Sequence, residues 1–377
     1  MKHSTKLKIG LVLDDSLDRN DGVQQYVRSL GAWLVRQGHT VHFLAGQTRS
    51  GGKAVHSLSR NIGVKFNGNR LSMPLPASAR AIKTLLAREK YDVLHIQMPY
   101  SPLMAGKVIR LASMGTAVVG TFHILPIGGL QRYGNRALGL VQKRQLRRLD
   151  AICSVSAPAQ KFAKTHYGLA SRVIPNMIDA PAWHSAMHPH AGRIVFLGRL
   201  VPRKGCAELL WAVLELPEPL RNNLEVLIAG DGPERQKLEK FAGRHKLRQV
   251  VFLGYIDERH KRDLLASAQL AVFPSLGGES FGIVLIEAMA AGAGVVLGGN
   301  NPGYQSVLAA WPKVLFNPRD NRAFGRRLRA FLEDEKLRAR LHAQQQAAVR
   351  QYDVDIVGGQ IMKLYAEALL QRRQEMR

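Results

Sequence analysis

Apolar and polar positions in the first half of the chain alternate between two kinds of segment. Ile9 to Leu13 is a short continuous apolar run, whereas the apolar residues from Val23 to Leu34 recur at helical spacing and are followed by Gly38. A buried strand, a loop and a helix are therefore predicted in succession. Further strands are predicted at residues 41–45, 93–97, 117–123, 151–156 and 173–174, with helical patterns between several of them.

The same alternation restarts in the second half, after a stretch rich in His, Pro and Ala at residues 180–192. Strands are predicted there at residues 194–198, 226–230, 250–253, 270–274, 295–297 and 314–316. Strands that alternate with helices indicate parallel sheets covered on both faces. We therefore predict an α/β protein with two Rossmann-like domains, residues 1–180 and 181–352, and a hinge near residues 178–192, where breakers interrupt the periodicity.

The chain ends in a predicted amphipathic helix, residues 353–376. Its apolar side carries Ile356, Ile361, Leu364 and Leu369. Asp353 and Asp355, at the start of this helix, match an Asp-x-Asp metal motif. Because the motif precedes a helix and does not follow a strand, we interpret the two carboxylates as helix-capping groups that complement the helix dipole. No metal site is predicted.

The composition is that of a globular protein. The 377 residues are 46% hydrophobic and 22% charged, which argues against a disordered chain or a polytopic membrane protein. The longest apolar run, residues 282–299, contains Glu287, so it is not predicted to span a membrane. The apolar stretch after the basic start is too short for a signal peptide. Cys153 and Cys206 lie in different halves and predict no disulfide framework, which fits a reducing cytoplasm.

Net charge is the unusual property of this sequence. The chain carries +26, and residues 1–182 hold 26 Lys and Arg residues against 8 Asp and Glu residues. An anionic partner is therefore expected on the first half: nucleic acid, anionic lipid headgroups or a phosphorylated substrate. A nucleic-acid-binding protein is the non-enzyme alternative. It is disfavoured because aromatic residues are only 7% of the chain and no nucleic-acid-reading module is recognisable.

The most specific chemical motif follows the predicted strand 270–274. The sequence GGESFG, Gly277 to Gly282, leads into a helix that contains Glu287, eight residues after Glu279. Glycines let backbone N–H groups approach a ligand closely, and a helix N-terminus suits a diphosphate. The two glutamates are about two helical turns apart, so both can point to one side. This pattern predicts a donor-sugar site whose carboxylates accept hydrogen bonds from the hydroxyls of a hexose and a ribose.

Two cations follow the predicted strand 194–198. Arg199 comes directly after the strand, and Lys204 lies in the segment Pro202 to Gly205, which opens the next helix. Two cations at this position would neutralise a leaving diphosphate without a metal ion. A solvated basic loop is the alternative. Gly230 to Pro233, after the following strand, is interpreted as a tight turn.

Two features of the first half lie where strands of a parallel sheet give way to loops, which is where ligands bind in such folds. Gly22 and Val23 open the first helix, and their amides can face a phosphate, although the local sequence is not the GxGxxG of a dinucleotide site. His123 ends the strand 117–123 and is either a hydrogen-bonding or acid/base group or a structural histidine. His95, inside the preceding strand, is predicted to lie in the core.

These motifs resemble the retaining GT-B glycosyltransferases of family 4, and among them the actinobacterial type of phosphatidylinositol mannosyltransferase. The resemblance covers Asp21 to Gln24, Asp92 to Gln97, Gly120 to His123, Ile174 to Asn176, Phe196 to Arg199, Arg203 to Gly205, Gly277 to Gly292 and Gln360 to Met362. It implies the GT-B fold, in which two Rossmann-like domains face each other across a cleft. It also implies a terminal helix, residues 353–377, that returns to the first domain.

The resemblance implies roles for individual residues. Arg199 and Lys204 would bind the donor diphosphate, which Gly22 would approach from the first domain. Glu279 would bind the hexose hydroxyls, Glu287 the ribose, and His123 the transferred sugar near its anomeric carbon. His123 and Glu279 are the candidate catalytic residues. The remaining predicted donor-binding residues are Ser280, Phe281, Gly282 and Ile283. In such enzymes no carboxylate is a clear nucleophile, and the departing diphosphate helps to deprotonate the acceptor in a front-face substitution.

The first domain departs from the family's pattern. The family's Gly-Gly-Val-Gln begins with Asp21 here, and the loop before it carries Asp14, Asp15 and Asp18. An acidic cluster would repel an anionic headgroup near the acceptor site. The predicted acceptor-binding residues are Gln24, Asn67 and Arg70.

Two basic helices are candidates for a membrane-binding surface. The predicted helix at residues 136–148 carries Arg136, Lys143, Arg144, Arg147 and Arg148 between apolar residues, and a second helix carries Arg80, Lys83 and Arg88. Such helices lie on anionic leaflets with about 1 kcal/mol contributed by each basic residue. A solvated face beside an ordinary core stripe is the alternative.

We therefore expect transfer of an α-mannosyl group from GDP-mannose, with retention and without a metal ion or other cofactor. The expected acceptor is a lipid headgroup such as inositol at the cytoplasmic face of the plasma membrane. A UDP-glucose-dependent enzyme that makes a diacylglycerol glycolipid or a soluble glycoside is the alternative among enzymes. A catalytically inactive sugar-nucleotide sensor is disfavoured by the intact Glu279, Arg199 and Lys204.

Overall fold

The protein is described here by a computed structural model. The structure describes residues 6–18, 21–49, 52–66, 69–74, 77–101, 103–123 and 145–376, and for residues 61–66 and 69–74 it describes the backbone only. The chain divides into two compact units. Unit 1 lies within Met1–Met177 and Val354–Arg377, and unit 2 is Ile178–Asp353. The boundaries predicted from the sequence were 1–180 with 353–377 for the first domain and 181–352 for the second.

The described residues form strands and helices that alternate along much of the chain. The strands are β1 (Lys8–Leu13), β2 (Thr40–Gly46), β3 (Val55–Ser59), β4 (Asn61–Phe66), β5 (Asn69–Pro74), β6 (Val93–Gln97), β7 (Ala117–Phe122), β8 (Ala151–Ser154), β9 (Arg172–Val173), β10 (His190–Leu197), β11 (Glu225–Ala229), β12 (Val250–Gly254), β13 (Ala268–Phe273), β14 (Val295–Gly299) and β15 (Leu315–Phe316). The helices are α1 (Gly22–Arg36), α2 (Ala79–Glu89), α3 (Met104–Leu111), α4 (Ala157–Tyr167), α5 (Ala180–Trp183), α6 (Cys206–Leu214), α7 (Glu218–Asn222), α8 (Arg235–Arg244), α9 (Glu258–Ala266), α10 (Ile283–Ala291), α11 (Pro302–Leu308), α12 (Asn321–Glu333), α13 (Glu335–Ala348) and α14 (Val354–Glu375).

Unit 1 is built on a seven-stranded parallel sheet with the order β3-β2-β1-β6-β7-β8-β9. Every residue of β6 and β7 is buried, which agrees with their continuous apolar sequences, since a parallel sheet is covered by helices on both faces. Two helices of unit 1 begin at serine caps. Ser78 accepts a hydrogen bond from the Ala81 amide at the start of α2, and Ser156 accepts one from the Ala159 amide at the start of α4.

Helix α14 belongs to the core of unit 1. Its Ile361, Leu364 and Tyr365 join the buried cluster that lines one face of the sheet. A Cβ on Gly358 would lie 2.6 Å from the Trp33 ring, so glycine lets α14 pack closely on α1. Trp33 Nε1 donates a hydrogen bond to Asp355 Oδ1 at 2.6 Å, and Arg372 forms an ion pair with Asp150. The predicted return of the terminal helix to the first domain is thus observed.

One apolar residue of the terminal helix was wrongly placed on its buried side. Ile356 is 48% exposed, whereas Ile361 and Leu364 are buried and Leu369 packs against the core. The buried positions follow the helical repeat through Val357, so Ile356, one residue earlier, points away from unit 1.

Unit 2 has a six-stranded parallel sheet with the order β12-β11-β10-β13-β14-β15. Its strands coincide with those predicted, apart from small differences at their ends. The predicted irregular stretch 178–192 is more ordered than its composition indicated. Asp179 caps the short helix α5 by accepting a hydrogen bond from the Ala182 amide, and β10 begins at His190, whose amide donates to the Ser267 carbonyl. Pairing with a distant strand therefore ordered a segment that has no apolar period of its own.

Three strands of unit 1 were missed by the sequence pattern. β3 is an edge strand with several half-exposed residues, so it lacks a continuous apolar run. β4 and β5 form a separate antiparallel hairpin outside the parallel sheet, in which the backbone of Lys65 pairs with that of Arg70. Among the helices of the described segments, none combines the length and the apolar character that crossing a bilayer requires.

Candidate functional site

Two loops of unit 2 meet beyond the carboxyl ends of the adjacent strands β10 and β13. The loop after β10 includes the 3-10 turn Pro202–Lys204 and ends at Gly205, whose φ is 75°. A Cβ at Gly205 would lie 1.9 Å from the Pro274 carbonyl oxygen, so only glycine permits this approach. The amide of Leu276 also donates to the carbonyl of Arg203 at 2.8 Å. This contact brings the side chains of residues 203–204 next to those of residues 275–279.

The Glu279 carboxylate lies at the centre of the charged cluster that these loops form. Its Oε1 accepts hydrogen bonds from Arg203 Nη1 at 2.7 Å and from Ser275 Oγ at 2.9 Å, and it lies 2.9 Å from Lys204 Nζ. The side chain is 13% exposed. Burial by itself raises the pKa of Glu279, but the Lys204 and Arg203 cations outweigh burial and hold the pKa below its usual value. The carboxylate is therefore ionised at neutral pH and accepts hydrogen bonds.

Arg203 and Ser275 are the members of this cluster that sequence reasoning missed as candidates. Arg203 was quoted only as a neighbour of Lys204, yet the structure gives both cations to the same carboxylate oxygen. Ser275 Oγ donates to Glu279 Oε1 and also lies 3.1 Å from the Arg203 carbonyl oxygen, so it joins the two loops. The signal available in the sequence was the adjacency of two cations in one glycine-ended turn. Arg199, the other predicted diphosphate ligand, is half-buried directly after β10.

The helix that follows Glu279 begins at a glycine that packing requires. Gly282 precedes α10 with a φ of 104°, and a Cβ there would lie 2.6 Å from the Tyr304 ring. Ser280 and Ile283, on either side, are half-buried. The Phe281 side chain, predicted to bind the donor, is instead buried and packs edge-on against Tyr352, with ring centroids 5.6 Å apart. Its phenyl ring contributes to the core of unit 2, because the turn at Gly282 directs it inward.

Glu287 is buried in an ion pair within unit 2. Its Oε1 accepts a hydrogen bond from Lys261 Nζ at 2.8 Å, and the two side chains are only 4% and 11% exposed. Lys261 Nζ also lies 4.7 Å from the centre of the Trp183 ring, at the distance of a cation–π contact. The sequence assigned Glu287 to a ribose and did not identify Lys261. The pairing explains how a carboxylate is accommodated in the otherwise apolar helix α10.

In unit 1, His123 lies directly after the carboxyl end of β7 and is buried. Its Nε2 is 2.7 Å from Gln97 Oε1, and its ring meets the Tyr26 ring edge-on at 5.0 Å. Because a carbonyl oxygen only accepts, Nε2 carries the proton and Nδ1 is left as an acceptor. Burial lowers the pKa of His123 to about 3. The imidazole is therefore neutral at physiological pH, which favours the predicted hydrogen-bonding role over that of a general acid.

His95 lies in the core, as predicted. It is fully buried between Tyr365 Oη, 2.8 Å from Nδ1, and Thr121 Oγ1, 2.6 Å from Nε2. Burial lowers the pKa of His95 to about 3. Since Tyr365 belongs to α14, this histidine connects the terminal helix to strand β6.

Two predicted binding residues, Gly22 and Gln24, lie in the first turn of α1. Gly22 is the first residue of α1, so its amide is among those that have no partner within the helix. Gln24 was predicted to bind the acceptor, but its side chain is buried. Its Nε2 donates to Asp15 Oδ2 at 3.0 Å and to the Ser16 carbonyl at 3.3 Å. The side-chain amide of Gln24 therefore holds the loop before α1 in place.

The acidic loop between β1 and α1 is tied into unit 1. Asp14 is buried and its Oδ1 accepts a hydrogen bond from the Ala105 amide, at the start of α3. Burial raises the pKa of Asp14 to about 6. Asp18 Oδ2 accepts from Ser16 Oγ at 3.1 Å and from the Arg49 amide at 2.9 Å. The cluster that the sequence shows as a row of charges thus has internal hydrogen bonds.

The remaining predicted acceptor and membrane residues are described only in part. Asn67, Arg136, Lys143 and Arg144 lie outside the described residues, and for Arg70 only the backbone pairing with Lys65 is described. Arg80, Lys83 and Arg147 are exposed. Arg148 is not a free surface cation: it pairs with Asp150 at 3.0 Å, and its Nη2 donates to the carbonyls of Ser113 and Thr116. The Arg148 guanidinium therefore fixes the turn before β8, and its assignment to a membrane surface stays a prediction.

Comparison with known sequences finds two family models along the chain. The model described as Glycosyltransferase Family 4 matches residues 20–180, and the model described as Glycosyl transferases group 1 matches residues 188–347. The phosphatidyl-myo-inositol mannosyltransferase of Mycolicibacterium smegmatis is 32% identical over 95% of this chain and 93% of its own length. The enzyme of the same name from Propionibacterium freudenreichii is 32% identical over 96% of this chain and 95% of its own length.

Solved structures show the same fold at low sequence identity. A glycosyltransferase from Rickettsia africae matches 97% of this chain and 99% of its own with a TM-score of 0.72 at 15% identity. The glycosyltransferase WaaG matches 94% of this chain and 98% of its own with a TM-score of 0.67 at 17% identity. Together with the two parallel sheets, these likenesses confirm the predicted fold class, an α/β protein of the GT-B class with two Rossmann-like domains.

Proposed function

The chain belongs to glycosyltransferase family 4, and from this membership we propose that it transfers an α-mannosyl group from GDP-mannose to an inositol lipid. We further propose that the anomeric configuration is retained, that no metal ion takes part, and that the acceptor is reached at the cytoplasmic face of a membrane. The proposed acceptor class rests on the relatives named above, which cover nearly the whole chain.

The observation that carries the proposal is the ionised Glu279 between Arg203 and Lys204. A carboxylate fixed by two cations presents its remaining lone pairs in a defined direction, which is what recognition of sugar hydroxyls requires. The same two cations lie beside the carboxyl end of β10, where ligands bind in open α/β folds. We assign Glu279 to the hexose hydroxyls, and Arg203 together with Lys204 and Arg199 to the diphosphate.

The charge balance of this cluster supports leaving-group stabilisation without a metal. Two cations share one carboxylate, so a net positive charge is left to stabilise the negative charge that develops on the departing diphosphate. Ser280, Gly282 and Ile283 at the start of α10 add backbone amides and the positive end of a helix dipole.

The ion pairs of unit 2 also bear on stereochemistry. Glu279 and Glu287 each accept a charge-assisted hydrogen bond from a cation, which makes either carboxylate a poor nucleophile. We therefore favour a front-face substitution. The glycosyl–phosphate bond breaks, the acceptor oxygen bonds to the anomeric carbon on the same face, and the proton of that hydroxyl passes to the departing diphosphate. Neutral His123 is assigned a hydrogen bond to the transferred sugar.

Membrane association is proposed from exposed cations on one described helix. Arg80 and Lys83 of α2 are exposed beside the apolar face that α2 buries in unit 1. Each such residue contributes about 1 kcal/mol of attraction to an anionic leaflet.

The test is a panel of donors and acceptors with purified protein. GDP-mannose and UDP-glucose are each offered with phosphatidylinositol vesicles, diacylglycerol vesicles or no acceptor, in the presence and absence of EDTA. We expect turnover of GDP-mannose on phosphatidylinositol that EDTA does not reduce, with an α-linked product by NMR. Turnover of UDP-glucose on diacylglycerol would replace this donor and acceptor by the alternative pair. Absence of turnover or hydrolysis with both donors would contradict the proposed function.

A further inference from the structure

A second cluster of ligating side chains lies in unit 1, remote from the carboxyl edge of its sheet. His42 of β2, His56 of β3 and Glu89 at the end of α2 bring one ligand atom each to within 4.8 Å of the others. His42 is the third residue of β2 and His56 the second of β3, so both lie near the amino ends of their strands. Because ligands of such folds bind at the carboxyl ends, this cluster is separate from the chemistry proposed above.

Strand register explains why the two histidines meet. β2 and β3 run parallel, and Leu44 pairs with His56. Side chains two residues apart on a strand share a face, so His42 is a diagonal neighbour of His56. The observed distance between His42 Nδ1 and His56 Nε2 is 3.2 Å. Two imidazole nitrogens bound to one tetrahedral Zn²⁺, with Zn–N bonds of about 2.0–2.1 Å, are roughly 3.3 Å apart.

One ring nitrogen is surrounded by more polar partners than it can serve. His42 Nδ1 lies 3.2 Å from His56 Nε2, 2.9 Å from Tyr91 Oη and 3.7 Å from Glu89 Oε2. A ring nitrogen has either one proton or one lone pair, so it makes one strong hydrogen bond. A metal ion placed between the imidazoles and the carboxylate would use both lone pairs at once.

The three side chains are of the kind that a metal ion requires. A neutral imidazole and an ionised carboxylate each offer a lone pair. Glu89 is paired with Lys8 and Arg88, at 2.7 Å from each, so its carboxylate already lies among positive charges.

From this geometry we propose that His42, His56 and Glu89 bind one transition-metal dication of the Zn²⁺ type. Two imidazoles and a carboxylate are a ligand set for Zn²⁺ and not for Mg²⁺ or Ca²⁺, which prefer oxygen ligands alone. Lys8 Nζ, 2.7 Å from Glu89 Oε2, has to release this oxygen when the ion binds. The ion would join the edge strand β3 to β2 and to the end of α2, so its expected role is to stabilise this edge of unit 1.

The test is metal binding to tag-free protein that has been stripped with EDTA. Calorimetry with ZnCl₂ is expected to show one equivalent bound, and addition of Zn²⁺ is expected to raise the melting temperature. Co²⁺ should give the visible absorption of tetrahedral coordination, and Mg²⁺ should give no response. His42→Gln and His56→Gln are each expected to abolish binding, and Glu89→Gln to weaken it at least tenfold. Neither Cys153 nor Cys206 competes, since both are buried.

Two controls keep the outcome unambiguous. His56 lies on a half-exposed edge strand, so His56→Gln should melt like the wild type without metal even if His42→Gln fails to fold. The double variant His188→Gln/His190→Gln removes two exposed histidines elsewhere and should bind Zn²⁺ normally. Absence of Zn²⁺ binding, retention of binding by His56→Gln, or loss of binding in the double variant would each overturn the proposal.

Discussion

The two units hold their buried polar groups by different electrostatic means. In unit 2, Glu279 and Glu287 are charged, and each is matched by lysine or arginine side chains from other segments. In unit 1, His123 and His95 are neutral and are held by Gln97, Thr121 and Tyr365.

At the carboxyl ends of the strands, the difference follows from what the Glu279 cluster and His123 are proposed to bind. A diphosphate demands fixed positive charge, and the charge must be balanced by a carboxylate when no donor is bound, because an unpaired buried charge is costly. A sugar offers only hydroxyl groups, for which neutral hydrogen-bonding groups suffice. We infer that a charged cluster suits the proposed binding of a diphosphate, whereas the neutral His123 suits the proposed hydrogen bond to a sugar hydroxyl.

The largest expected effect is a loss of stability in acid, and it should arise in unit 1. His95 and His123 have pKa values of about 3 in the folded state instead of 6.5, because burial disfavours the imidazolium form. Below pH 6.5 the unfolded chain binds protons that the folded chain does not. The contribution of these groups to the unfolding free energy is therefore complete above pH 6.5 and is lost as the pH falls towards 3, at about 1.4 kcal/mol per pKa unit.

Melting temperatures measured between pH 7.5 and pH 4 check this expectation. His95→Gln should fall less steeply with acid than the wild type, although it is less stable at pH 7.5 because a buried hydrogen-bond network is altered. His188→Gln, which changes an exposed histidine, should show the same dependence of melting temperature on pH as the wild type. Equal pH slopes for wild type and His95→Gln would contradict the neutral state of His95.

The next prediction concerns the charged cluster of unit 2, where removing the charge of Glu279 should lower activity. Glu279→Gln keeps the shape of the side chain but leaves Arg203 and Lys204 without their carboxylate. Loss of a positioned hydrogen-bonding group at a reacting centre typically costs about 100-fold in kcat, and we expect at least this. The measurement is initial rate with the donor that the panel identifies, with circular dichroism to verify folding.

The matched control for that variant is Glu239→Gln. Glu239 also pairs with an arginine, Arg235, at 2.8 Å, but the pair is exposed on helix α8. Its loss should change neither kcat nor the melting temperature appreciably, since exposed pairs contribute about 0–1 kcal/mol. Comparable kcat values for Glu279→Gln and Glu239→Gln would remove Glu279 from the site.

Two adjacent glycines of α14 test how closely this helix must approach α1 in unit 1. Gly358→Ala would place a Cβ 2.6 Å from the Trp33 ring, whereas Gly359→Ala meets nothing within 4 Å. We expect the first change to lower the unfolding free energy by about 2 kcal/mol through overpacking, and the second to raise it by about 0.5–1 kcal/mol through helix propensity. Thermal melts of the two variants should differ in sign, and a shared sign would contradict the close packing of α14.

Asp14 is a buried carboxyl group of unit 1, and its substitution has a small expected effect. Burial raises its pKa from 3.8 to about 6, so its contribution to stability is full below pH 3.8 and is lost as the pH rises through 6. Asp14→Asn removes a buried charge that costs about 3 kcal/mol at pH 7, at about 1.4 kcal/mol per pKa unit, but it replaces a charged acceptor of the Ala105 amide by a neutral one, which costs about 2 kcal/mol. The expected net gain in stability at pH 7 is therefore about 1 kcal/mol. The gain should vanish at pH 4, as urea titrations at the two pH values would show, and a destabilised variant at pH 7 would count against it.

Most of the sheet was predictable because buried parallel strands have continuous apolar sequences. β6 was predicted with both ends correct, and the strands of unit 2 were found to within a few residues. β3 was missed because an edge strand is half-exposed, and the order in residues 178–192 was missed because it depends on pairing with a distant strand. Among side chains, His95 was correctly placed in the core. Gln24 and Phe281, which the sequence assigned to ligands, have buried side chains, since motif membership does not tell which way a side chain points.

By itself, the sequence determined the alternation of strands and helices, the family, and the position of Glu279 after a glycine-rich strand end, because each of these is local along the chain. Only the tertiary structure decided what surrounds that carboxylate. Arg203 lies 76 residues before Glu279 in the sequence, and their contact exists because Gly205 lets one loop rest on the end of the neighbouring strand. The neutrality of His123 was decided in the same way, since burial depends on the elements packed around a residue and not on its neighbours in sequence.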